Sequence, residues 1–158
     1  MLKRTVLTVL ALGLTVSAVA QTQLPTKQVL TLDAAKIIAA AAEAEATRNG
    51  WAVSIAIVGD SGQLLLFRRM DDAKLAATDI AIRKARTSAY FEQPTVELEE
   101  EVDGGRNALL SIDGFMPLQG GIPIVVAGMQ IGGIGVSGVS GEQDEQCAVA
   151  GAAALAAR

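Results

Sequence analysis

The 158-residue chain contains no histidine and a single cysteine, Cys147. Without histidine it lacks both the commonest general base and the commonest metal ligand, which argues against serine–histidine hydrolases and zinc enzymes. One cysteine cannot form an intrachain disulfide, so stability must come from the core, with oligomerisation as a further source. Cys147 lies in an alanine-rich C-terminal stretch, where a buried structural thiol is the expected state rather than a reactive one. Positive charge is also scarce, at 13 Lys and Arg against 17 Asp and Glu. Lys3 and Arg4 are the only charged residues among the first twenty, leaving 11 basic and 17 acidic residues in 21–158, a net charge of −6. That balance argues against a nucleic acid or an anionic membrane surface as partner. There is no internal repeat and no low-complexity linker.

What is present begins with an address. Lys3 and Arg4 precede an apolar run from Thr5 to Val16, followed by the small-x-small pattern Ala18-Val19-Ala20. This reads as a secretory signal peptide over residues 1–20, with the mature chain starting near Gln21. The run is shorter than the ~20 apolar residues of a membrane span, so no stable span is expected once the signal is removed. The protein is expected to be exported, periplasmic or extracellular. Residues 21–158 suit one domain, able to bury roughly two-thirds of its unfolded surface.

Thr31, with Asp33 in the first turn, predicts a helix to about Asn49 stopped by Gly50, with Ala34, Ile37, Ile38, Ala41 and Ala42 as its buried stripe. Ala52 to Val58 alternates as a strand, Asp60-Ser61-Gly62 turns, and Gln63 to Arg69 completes a hairpin. Leu64 and Leu66 face one way and Leu65 and Phe67 the other, so both sides of that strand should be covered, and one covering could be another subunit. A helix follows from about Leu75 to Phe91 and ends before Pro94. Its core face is Thr78, Ala81, Ile82, Ala85 and Ala89. Asp79, Arg83, Arg86 and Tyr90 share one flank, and Lys84 stands apart on the other as the less solvated cation. Thr95 is expected to cap a short acidic helix, and residues 106–117 form a poorly patterned segment containing Asp113 and Met116.

The stretch Gly120 to Glu145 organises the rest. It reads as strand (Ile122 to Ala127), turn (Gly128-Met129-Gln130), strand (Ile131 to Ser137) and helix start, with Ser140 and Gln143 as a capping box. On the second strand Ile134 and Val136 share one face, while Ile131, Gly133, Gly135 and Ser137 share a nearly bare one. Glycines in a strand mark a close approach, either of a packing element or of a flat ligand, with packing favoured. Gly133 to Gly138 also matches G-x-G-x-x-G, but no βαβ unit or later acidic residue supports dinucleotide binding.

Taken in order, several motifs resemble those of the HbpS/GlcG-like haem-binding family. They are Asp60-x-Gly62 with Leu64 to Asp71, Arg83-Lys84-Ala85, Phe91 to Thr95, Gly120-Gly121-Ile122-Pro123-Ile124, Gly133 to Gly138, and Gln143-Asp144-Glu145. The resemblance spans about Leu30 to Leu155. It implies an α+β fold in a single domain, with a central antiparallel sheet of about five strands flanked by helices, related to the corrinoid adenosyltransferase C-terminal domain and assembled as a homo-oligomer. It further implies an exported protein that binds haem or another flat cofactor, in haem or iron handling. With no histidine, an axial ligand would have to come from Tyr90, Met70, Met116, Met129, Cys147 or a lysine. A propionate could meet Lys84 or Arg83, with Gly120, Gly121, Ile122, Pro123 and the bare strand face admitting a flat ring. The competing expectation is an enzyme or accessory protein of small hydroxy or carboxylic acid metabolism, with Lys84 and a carboxylate, Asp144 or Asp113, moving a proton. A third is an accessory protein without a ligand. The sequence leaves open any metal role of Asp144 and Glu145.

Overall fold

The computed structural model describes residues 24–156, so the signal peptide expected at 1–20 lies outside the described residues. The N-terminal helix forms where its signals stand: α1 (Leu32–Asn49) is capped by the Thr31 hydroxyl, which accepts from the Ala34 amide, and is ended by Gly50 at φ +70°. Next come β1 (Ser54–Gly59), β2 (Leu64–Arg69), α2 (Ala77–Phe91) and α3 (Thr95–Asp103). A 3-10 turn (Asn107–Ser111), β3 (Gly121–Val126), β4 (Met129–Ser137) and α4 (Gly141–Ala156) complete the domain. The expected capping box is made at α4, where Gln143 N donates to Ser140 Oγ and Ser140 N donates to Gln143 Oε1.

The four strands form one antiparallel sheet in the order β2-β1-β4-β3. The expected α+β class and flanking helices hold, but the sheet has four strands rather than about five. Among the described residues no segment supplies a fifth, since 24–31 runs without sheet partners and 107–111 closes into a 3-10 turn. Helices α1 and α4 cover one face over a core of Ile38, Ile55, Ile57, Ile124, Ile134 and Val136, and α2 covers the other over Ala56 and Val58.

Three local readings change. The stripe of α1 is Ala35, Ile38, Ala39, Ala42 and Ala46, rotated from the expected one, because alanines nearly all round the helix leave its facing to tertiary packing. On β4, Gly132 pairs with Ile124 but Gln130 with Val125. Ile131 is therefore the extra residue of a bulge and joins Ile134 and Val136 in the larger core instead of the glycine face. On β2, Leu64 is 42% exposed and Leu65, Leu66 and Phe67 are only half-buried, because this is an edge strand.

The bare face of β4 is filled by packing. A Cβ at Gly135 would overlap the Ala81 carbonyl oxygen and the Ala85 amide nitrogen, and one at Gly133 the Ala85 carbonyl oxygen. Helix α2 lies directly on these glycines, so no flat ring enters there.

Candidate functional site

Because α2 sits so close to the sheet, Lys84 points inward and is 3% exposed. Its Nζ donates to Val136 O at 3.0 Å and to Asp144 Oδ2 at 3.0 Å. Asp144, in the first turn of α4, also accepts from the Val139 amide through Oδ1 at 3.1 Å. Burial pushes the Asp144 carboxyl up from its ordinary value, against the opposing pull of the Lys84 charge and of both hydrogen bonds. Gly120, at φ +120°, makes room for the pair: a Cβ there would stand 2.9 Å from Lys84 Nζ and 2.8 Å from the Asp144 Cβ. Thr95 holds the neighbouring residue, its Oγ1 accepting from Gly121 N at 2.8 Å and donating to Leu118 O at 2.7 Å. Thr95 is thus the first residue of α3, not its cap; Pro94 precedes it with no side-chain cap bond. A cavity of about 380 Å³ opens beside the pair, rimmed by Glu99, Gln119 and Glu142.

A second cleft, of about 340 Å³, lies between the β1–β2 turn, the C-terminal half of α2 and residues 112–115. Arg86 and Tyr90, four residues apart and so on one flank of α2, reach the same turn. Arg86 Nε donates to Gly62 O at 3.1 Å and the Tyr90 hydroxyl to Ser61 O at 3.3 Å. Phe91 and Phe115 form an aromatic wall with ring centroids 5.1 Å apart and a 58° interplanar angle, and Asp113 lines the same cleft. Met116 lines an adjoining groove with Val102, Leu110, Pro117 and Leu118, which shares Phe115 with this cleft and carries Glu99 and Asp103.

The sequence-expected residues therefore divide. Lys84, Gly120 and Gly121 meet, and they meet Asp144. Ile122 and Pro123 are half-buried on β3, Ile122 against the larger core. Arg83 is half-exposed in an ion pair with Asp79 at 2.8 Å. Tyr90 and Asp113 share the second cleft. Of the other ligand candidates, Met70 packs on the larger core, Met129 is 44% exposed at the β3–β4 hairpin, and Cys147 is buried. Burial, with the Glu45 and Asp144 charges, pushes the Cys147 thiol up to about 11. Glu145 has one oxygen, Oε2, without a partner, and among the described residues no three His, Cys, Asp or Glu gather to hold a metal. The sequence put Arg86, which is exposed, on one flank with Tyr90 without marking it as a site residue; its i,i+4 spacing to Tyr90 was the available signal. It had no means of bringing Phe115 to Phe91.

Fold and clefts together define a small α/β/α domain with one antiparallel sheet and mixed polar and apolar clefts along α2. Residues 30–153 match the family described as "Haem degrading protein HbpS-like". The chain belongs to this HbpS-like family. It is 45% identical over 112 residues to "Protein GlcG" of Escherichia coli (strain K12), covering 71% of this chain and 84% of that protein. A crystal structure of a double mutant of Streptomyces reticuli HbpS superposes with a TM-score of 0.79 at 39% identity, covering 89% of this chain and 98% of that one. A PduOC:heme complex superposes with a TM-score of 0.73 at 30% identity, covering 80% of this chain and 95% of that one.

Proposed function

We propose that the protein binds haem in the cleft lined by Arg86, Tyr90, Phe91 and Phe115, and that it is an exported, oligomeric haem-binding protein. The observation that carries the reading is the make-up of this cleft, in a fold shared with a haem complex. It has an aromatic wall for a porphyrin face, with a guanidinium and a phenol within reach. At about 340 Å³ it sits near the lower end of the roughly 300–1,000 Å³ of small-molecule pockets. It can cover one face or edge of a macrocycle, leaving the rest to solvent or to a second subunit. When bound, the group supplies an iron centre; this chain binds, orients and partly shields it. Export rests on the signal-like residues 1–20, and oligomerisation on the half-covered edge strand β2. Among the described residues no helix is long and apolar enough to cross a membrane.

The test is a haemin titration of the purified protein, followed by absorbance and sedimentation in the same samples. A saturable Soret shift at one site per subunit supports the reading. Its absence removes haem as the function.

The meeting of Lys84 with Asp144 favours a second reading, a small-molecule enzyme in which the buried pair relays a proton. It stands second because Asp144 already neutralises Lys84, and Glu99 and Glu142 at the rim would repel the carboxylate of a small acid. Turnover of a hydroxy or carboxylic acid, lost in Lys84→Met, would bring it forward.

A further inference from the structure

We propose that Tyr90, with Arg86 as its charge partner, is the side chain that ligates haem iron, and that the site therefore selects ferric over ferrous haem. This rests on the haem reading above and goes one step deeper, to the donor atom and the oxidation state it favours.

With no histidine in the chain, the alternatives are a thiolate, a thioether, a lysine amine or a phenolate. Cys147 is fully buried in the larger core and its thiol is pushed up to about 11, so it offers neither access nor thiolate. Lys84 is committed to Asp144 and Val136, Lys27 pairs with Asp60 and Lys36 with Asp33, and Lys74 is exposed and lines neither of the two clefts. Met70 is packed against the larger core. Met116 lines a groove whose charged members, Glu99 and Asp103, are both acidic and repel an anionic cofactor. Met129 lies in a cleft lined largely by polar side chains, including Thr26, Gln28, Glu92 and Gln130, without an aromatic wall.

Tyr90 meets each requirement these residues miss. It is 60% exposed and lines a cleft that also holds two phenylalanines and a guanidinium. Its hydroxyl is held by Ser61 O at 3.3 Å, longer than the ~2.7–2.8 Å of a good O–H···O bond, so exchanging that acceptor for a metal forfeits little. Ligation forms the iron–oxygen bond as the O–H bond breaks, releases the phenolic proton to solvent through the exposed side of the cleft, and places an anionic phenolate oxygen beside the turn. Arg86 is fixed there by Gly62 O, the carbonyl next in sequence to the one Tyr90 uses. Its guanidinium compensates the phenolate charge, opposing the carboxylate of Asp113 on the other wall. An anionic oxygen donor suits the harder, more highly charged ferric ion, and the preference weakens on reduction to ferrous iron.

The experiment titrates haemin into the wild-type protein, Tyr90→Phe, Arg86→Gln and Met116→Leu, reading absorbance, electron paramagnetic resonance and resonance Raman spectra, with circular dichroism to confirm folding. Dithionite is then added in the presence of apomyoglobin as a haem scavenger. The expected result is a high-spin ferric wild-type complex with phenolate vibrational bands. Tyr90→Phe removes those bands and weakens binding at least tenfold, Arg86→Gln weakens it by a smaller factor, and reduction speeds transfer to the scavenger at least tenfold. A folded Tyr90→Phe variant with wild-type spectrum and affinity overturns the assignment while leaving haem binding in place. So does loss of the spectrum in Met116→Leu instead. Failure of the wild type to bind haemin overturns the haem reading itself, and the assignment with it.

Discussion

Removing Asp144 should be among the most damaging single changes in this protein, and more damaging than removing its partner. In Asp144→Ala the Lys84 ammonium, 3% exposed, is left with the Val136 carbonyl and no counter-ion. Breaking a buried pair in this way costs about 3–5 kcal/mol. The Val139 amide also loses its acceptor, so the upper half of that range is expected. Against a total stability of roughly 5–15 kcal/mol for a domain, and a urea dependence near ~2 kcal/mol/M, the midpoint should fall by about 2 M. Lys84→Met should cost less, because Asp144 can keep a proton once the ammonium is gone. The sign of its pH dependence follows. The folded state holds this proton to higher pH than the unfolded chain does, since burial raises the Asp144 carboxyl. Stability is therefore lost as pH rises through the window above the ordinary carboxylate value, and Lys84→Met should be closer to wild type at pH 5 than at pH 8. The double variant Lys84→Met/Asp144→Ala should lose clearly less than the two single losses added together, because no buried charge is then left unpaired. Urea unfolding of all four proteins at both pH values is the assay. An Asp144→Ala loss under about 1 kcal/mol, or a double variant whose loss equals the sum of the singles, would show that the pair is solvated and refute the reasoning.

Cys147 gives an alkaline counterpart. With its thiol raised from 9.0 to about 11 in the folded state, stability should be complete below pH 9 and decline by up to roughly 3 kcal/mol toward pH 11, at about 1.4 kcal/mol per pH unit. The decline should be absent in Cys147→Ala, measured by thermal unfolding across that range. At pH 8 the native thiol should also be inert to Ellman's reagent, reacting only on unfolding. Gly135→Ala should destabilise by more than about 2 kcal/mol, because the methyl overlaps α2 backbone that cannot swing away; a denaturant midpoint equal to wild type would contradict the close packing. Thr95→Val should cost about 1–3 kcal/mol by leaving the buried Gly121 amide unpaired. Hydrogen exchange should localise the loss to that amide, and unchanged protection there would count against the tether.

How far the sequence reached depends on the range of the interaction concerned. The Thr31 and Ser140 caps and the Gly50 stop were legible because each is made within a few residues. The inward turn of Lys84 was legible from its angle on α2, opposite the Asp79-Arg83-Arg86-Tyr90 flank. Its meeting with Asp144, 60 residues on, was one option among several, because no local pattern brings the first turn of α4, packed on the opposite face of the sheet from α2, within reach of Lys84. The rotation of the α1 stripe and the bulge at Ile131 were illegible for related reasons. An alanine-rich helix buries similar area in several orientations, and a bulge is a property of a strand pair rather than of one strand.

By itself the sequence determined the acidic balance and the identity and order of the elements built from local periodicity and capping. It also set the absence of histidine, which restricts any iron ligand to a few side chains. Only the tertiary structure decided that the glycine face of β4 is filled by α2, that Lys84 and Asp144 form a buried tie, and that Tyr90 joins Arg86, Phe91 and Phe115 around one cleft. The physical reason is that a side chain's periodicity is written by its neighbours in the chain, whereas a site is written by neighbours in space. Those neighbours are fixed when a whole sheet chooses its strand order and its helices choose their faces.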